Sequence, residues 1–84
     1  FVQNVYPSPV KVGEIINTDF ISAIPQDINI SLINSNGQVL IQRQVKVIKG
    51  SNKIRFTLPA ASAGVYYLVY RSEDKVQKVP VTVY

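Results

Sequence analysis

Apolar and polar residues alternate with a period of two along most of this chain, the pattern of a half-buried β-strand. It is cleanest at Asp27–Leu32, where Ile28, Ile30 and Leu32 share one parity and Asp27, Asn29 and Ser31 the other. Ile54, Phe56 and Leu58 alternate with Lys53, Arg55 and Thr57 in the same way. Gln38 to Ile48 reads as a long strand with Val39, Ile41, Val45 and Val47 on one parity, interrupted by Arg43. Glu14 to Ile21 is a further strand. The last runs to Tyr84, with Val79, Val81 and Val83 on one face and Val76 on the other, which predicts a bulge or register change between Val76 and Val79. Gly64 to Tyr70 is different: Tyr66, Leu68 and Tyr70 fill one parity, and Val65, Tyr67 and Val69 the other. A strand apolar on both faces is expected in the middle of a sheet, covered on both sides.

Turn residues punctuate these runs. Pro7 and Pro9 remove two backbone donors, so the chain there should be extended, at a sheet edge or a crossing. Asn36-Gly37 is a hairpin signal that favours positive φ at both turn centres. Pro25, Lys49–Asn52, the loop around Pro59 and Ser72–Lys75 mark the remaining breaks, and Pro80 argues for an edge position or a break in the last strand. No stretch keeps helical periodicity. Short strands with turns every 8–12 residues or so predict an all-β fold, a seven-stranded antiparallel immunoglobulin-like β-sandwich. Tyr66, two residues after Gly64, is placed to bury its ring and anchor its hydroxyl on loop backbone.

The 84 residues make one domain, 1–84. There is no cysteine, so the core alone must hold the fold. The chain has no methionine and opens abruptly on Phe1, which reads as a piece excised from a longer secreted protein. No segment approaches the roughly 18 apolar residues of a membrane-spanning helix.

The net charge of +4 comes from nine basic and five acidic residues. Arg43, Lys46, Lys49, Lys53 and Arg55 gather around one predicted hairpin. They suit either an anionic partner or a strand edge kept charged against unwanted pairing. A nucleic-acid ligand is not expected, because the charge is not concentrated on a helix or interleaved with exposed aromatics.

Histidine and cysteine are both absent, which removes the commonest general base, nucleophile and transition-metal ligands. The carboxylates Glu14, Asp19, Asp27, Glu73 and Asp74 are scattered, save the last two, and the four glycines lack phosphate-cradling spacing. No enzyme, metal or cofactor is expected.

Three blocks occur in order: Val5-Tyr6-Pro7-Ser8-Pro9-Val10 with Gly13, then Ile30-Ser31-Leu32 with Gly37-Gln38-Val39-Leu40, then Ala63-Gly64-Val65-Tyr66-Tyr67-Leu68. Together they resemble the type A C-terminal sorting domain of cargo of the type IX, or Por, secretion system, over nearly the whole chain. Ser8 stands where that family has asparagine, and Ala61 where it usually has leucine. The resemblance implies an immunoglobulin-like secretion signal that takes a folded cargo from the periplasm across the outer membrane to the cell surface. Its implied partners are the secretion machinery (an outer-membrane shuttle, a translocon and a sortase) and anionic lipopolysaccharide. Gly64 and Tyr66, with Lys75 and Lys78 on the terminal strand, are the recognition residues this reading selects. The alternative is a retained immunoglobulin-like extracellular module that binds lipopolysaccharide or carbohydrate.

Overall fold

The computed structural model describes residues 2–6, 9–58, 62–73 and 75–84, residues 2–6 by their backbone alone. Among these, every regular element is a β-strand. Strand β1 (Val2–Tyr6) is five residues long; β2 (Ile15–Ser22), β3 (Gln26–Ile33), β4 (Val39–Val47), β5 (Gly50–Thr57), β6 (Gly64–Arg71) and β7 (Val76–Val83) each run eight or nine. The pattern predicts seven strands; six are full-length, and the opening segment supplies only the short edge piece β1. The strands form two antiparallel sheets, in the orders β1-β2-β5 and β4-β3-β6-β7.

The period-two pattern accounts for the core. Ile16 and Phe20 on β2, Ile54 and Phe56 on β5, Ile28, Ile30 and Leu32 on β3, Tyr66, Leu68 and Tyr70 on β6, and Val81 and Val83 on β7 form one buried cluster drawn from both sheets. Full burial of each aliphatic side chain contributes about 1.5–3 kcal/mol. Phe20 and Tyr70 stack across the sheets with centroids 6.0 Å apart. The Tyr70 hydroxyl donates to Thr18 Oγ1 at 2.8 Å, which satisfies two buried polar groups from opposite sheets.

The turns depart from the sequence reading in three places. Asn36 does not take positive φ; among the described residues only glycines do, Gly37 at +86°. The loop is a turn closed by Gly37 N–H to Asn34 O, with Asn34 Oδ1 accepting from the amides of Asn36 and Gln38. A side-chain acceptor at Asn34 and one left-handed glycine replace the two-residue turn. Second, β4 and β5 are not a hairpin. β4 pairs with β3 and β5 with β2, so the Ile48–Asn52 corner carries the chain between sheets. Asn52 holds that corner: its Oδ1 accepts from the Ile48 amide, and its Nδ2 donates to the carbonyls of Ile48 and Gly50. Third, β6 and β7 pair in unbroken register from Arg71↔Val76 to Gly64↔Val83, so no bulge separates Val76 from Val79. Val76 faces outward, 63% exposed. The irregularity lies instead where Leu32 pairs Ile41 but Ile33 pairs Val39, which turns Val39 from the core parity to the outer face.

The chain on either side of Ser8 belongs to different sheets. β1 pairs with β2, after which Val10 forms a parallel bridge with Val83 of the other sheet. Val10 N–H donates to Thr82 O, and Tyr84 N–H donates to Val10 O. These bonds point the even-numbered backbone groups of β7 away from β6, so Pro80 lies at an outward position where its missing donor costs no ladder bond. Pro7, Ser8 and the Pro59–Ala61 loop lie outside the described residues.

Candidate recognition surfaces

The structure disperses the residues that the sequence reading selects. Tyr66 is buried, 7% exposed, and its hydroxyl donates to Ser62 O at 2.6 Å. It therefore ties Ser62, two residues before β6, to a buried ring. Gly64 opens β6 at φ +155°, with open space where a Cβ would stand. The backbone conformation, not crowding, is what favours glycine there. Both lie at the end of the β6–β7 pair where Gly64 meets Val83, whereas Lys75 and Lys78 lie at the other end, next to Arg71↔Val76. Lys75 is an exposed turn residue whose carbonyl accepts from the Ser72 amide. Lys78 lies on the outer face with its ammonium 4.3 Å from the centre of the Tyr67 ring.

The five cations also separate. Lys53 and Arg55 stand opposite Asp19 and Asn17 on the outer face of the three-stranded sheet, while Lys46 stands opposite Asp27 on the outer face of the other. Lys49 is exposed in the corner. Arg43 keeps the inward parity of β4, opposite Ile30. Its Nη1 donates to Arg55 O at 3.2 Å and its guanidinium lies 5.9 Å from the centre of the Phe56 ring. Arg43 thus spans the gap between β4 and β5, the edges of the two sheets, and covers a small apolar recess lined by Leu32, Ile41, Phe56 and Leu68. An inward-directed charge on an edge strand also discourages pairing with a foreign strand.

A cleft of about 1020 Å³ opens between the β2–β3 loop and the β6–β7 turn, with Phe20 and Tyr70 at its floor and Ile24, Lys75 and Val76 at its sides. Burial pushes the Tyr70 hydroxyl up to about 12, partly offset by the contact with Thr18. Among the described residues, no three acidic, cysteine or histidine side chains gather as a metal site would require. Among the described residues, Asp19 Oδ1 is buried without a hydrogen-bond partner; Asp19 is paired with Asn4 on one side and Lys53 on the other.

The outer face of β6 corrects the sequence reading. Val65, Tyr67 and Val69 are expected under a cover on that side, but no element of the described chain lies over them, and Val65 is 45% exposed. The signal was the second apolar parity of this strand; only the topology shows that it faces outward.

These features define an all-β chain built of two antiparallel sheets. The chain belongs to the secretion system C-terminal sorting domain family, whose model matches residues 4–82. No curated protein matches it. The family is that of type IX sorting signals; it is not an enzyme family, and its members interact with the secretion machinery on the way to the outer membrane and surface.

Proposed function

We propose that this domain is the C-terminal signal by which a folded cargo is taken from the periplasm through the outer membrane by type IX secretion and attached at the cell surface. The observation that carries this reading is the family match over residues 4–82. The immunoglobulin-like sandwich is part of the same proposal. It is supported by the strand orders β1-β2-β5 and β4-β3-β6-β7 and by the Tyr66 hydroxyl bonded to backbone four residues upstream, a feature of immunoglobulin-like domains at this strand. A shuttle, a translocon and a sortase meet the domain in turn, and the sortase joins the cargo to anionic lipopolysaccharide. A rigid two-sheet domain suits such a role, because successive partners must read one fixed surface.

The test is a fusion of residues 1–84 to the C-terminus of an unrelated folded reporter with its own export signal, in a bacterium that has type IX secretion. The reporter is expected at the surface. If it stays in the periplasm while an established family domain exports the same reporter, the domain is a binding module or spacer and the sorting reading is wrong.

A further inference from the structure

One row of residues crosses the whole outer face of the four-stranded sheet: Val39, Ile33, Tyr67 and Pro80 stand in register on β4, β3, β6 and β7. Val65 and Val69 flank Tyr67 on β6. Val39 is 53% exposed, Pro80 is exposed, and Ile33, Tyr67 and Val69 are half-buried. A solvated antiparallel sheet ordinarily turns polar residues outward. On the other sheet, β2 and β5 do so, presenting Asn17, Asp19, Lys53, Arg55 and Thr57, with Ile15 and Ile21 at the ends of β2. Contiguous apolar surface rimmed by polar groups marks an interaction site.

Charge narrows the occupant. Lys46 on this face stands opposite the carboxylate residue Asp27 in the ladder. Lys78 stands opposite Val69, and Arg71 opposite Asn29 and Val76, so neither meets a carboxylate across the ladder. Across the ladder, then, the charges beside the row are the cations Arg71 and Lys78. Lys78 also caps the Tyr67 ring, which holds the aromatic in place before any partner arrives. A second copy of this chain would bring the same cations and a net +4 to the contact. A lipid surface fits poorly with a row that lies across the flat middle of a sheet instead of on a protruding loop.

We propose that the outer face of the β4-β3-β6-β7 sheet is a docking surface for a protein partner with an apolar centre and an acidic rim, with Tyr67 as the central anchor and Arg71 and Lys78 as the charged flank. The inference rests on the sorting reading, and places on that face the partner met during export. Sequence specificity arises from the ring and its valine neighbours; the cations orient the approach and hasten encounter.

The test uses the reporter fusion in the type IX-competent bacterium. Val65→Thr with Tyr67→Thr keeps strand-forming residues but removes the apolar centre. Arg71→Glu with Lys78→Glu leaves the row intact and reverses its flank. Ile15→Thr with Ile21→Thr makes an equivalent change on the opposite sheet. Melting of the purified fusions establishes that each variant folds. Surface reporter is expected to fall on the order of tenfold for each of the first two pairs, as loss of an interface anchor does, and to stay at the parent level for the third. If the parent is not exported, the sorting reading falls and this inference with it. If the parent and both outer-face pairs are exported alike, the inference alone is overturned. Binding of the purified domain to phosphatidylglycerol vesicles, lost on Tyr67→Thr, would assign the face to lipid. Dimerisation seen by sedimentation, lost on the same change, would assign it to a second copy. Either result overturns the proposal.

Discussion

At the residue scale, two inward-facing tyrosines four residues apart on β6 do different work. Tyr66 combines a buried ring with a hydroxyl anchored on Ser62 O. Truncation to alanine is expected to cost roughly 3–5 kcal/mol, while Tyr66→Phe, which removes only the hydrogen bond, should cost about 1 kcal/mol. Denaturant midpoints of the two variants separate these contributions; equal losses would mean that the ring adds nothing. Tyr70, 2% exposed, donates to Thr18 in the interior. Its hydroxyl is raised from the ordinary 10.0 to about 12, chiefly by burial. Between those values the native state holds a proton that the unfolded chain has lost, so this contribution is complete below pH 10 and disappears as pH rises through 12. The rise of about two pH units corresponds to a stability loss on the order of 2–3 kcal/mol. The difference in stability between the parent and Tyr70→Phe, followed from pH 9 to 12 or so, should shrink by that amount; a constant difference would place Tyr70 in contact with water.

At the element scale, the strands were legible because burial alternates with the residues: Ile28, Ile30 and Leu32 are buried as their parity requires, and so are Ile54 and Phe56. What joins the strands was less legible. Asn36-Gly37 carries the signal of a tight hairpin, but the Asn34 side chain, bonding two amides of its own loop, selects a longer one. Lys49-Gly50 looks the same in sequence whether the chain folds back in one sheet or crosses to another; Asn52, whose amide binds both sides of the corner, is what holds the crossing. That is why the five cations, close in sequence, part onto different faces. Arg43 shows the energetic consequence. Its stem and guanidinium cover Phe56 and bridge to β5, while Lys46 faces outward on the same strand. Arg43→Ala is expected to cost about 1–2 kcal/mol through lost packing and the cation–π contact, and Lys46→Ala less than about 0.5 kcal/mol. Equal costs in chemical denaturation would refute a bridging role for Arg43.

At the scale of the whole molecule, the start of the chain closes onto its end. Val10 is fully buried, and the segment after it bonds β7 on the side away from β6: Val10 to Thr82, Tyr84 to Val10, and Val12 to Tyr84. The same chain, one strand earlier, pairs with β2 of the other sheet. This crossing ties both sheets together at one edge, as Arg43 does at the other, and it protects the end of β7 where the parallel bridge forms. The core is one cluster drawn from both sheets, so the domain should unfold in a single transition. Val10→Ala removes two buried methyl groups without touching the backbone bonds, and should lower global stability by about 1.5–3 kcal/mol. It should also loosen the crossing before the rest, because the side chain is what seats those bonds. In native-state hydrogen exchange, the amides of Val10, Val12 and Tyr84 are expected to exchange faster in this variant by more than the global loss explains, while the amides of the β3–β6 pair slow or speed only with global stability. Uniform acceleration across all of them would show that the crossing is part of the common cooperative unit and has no separate opening.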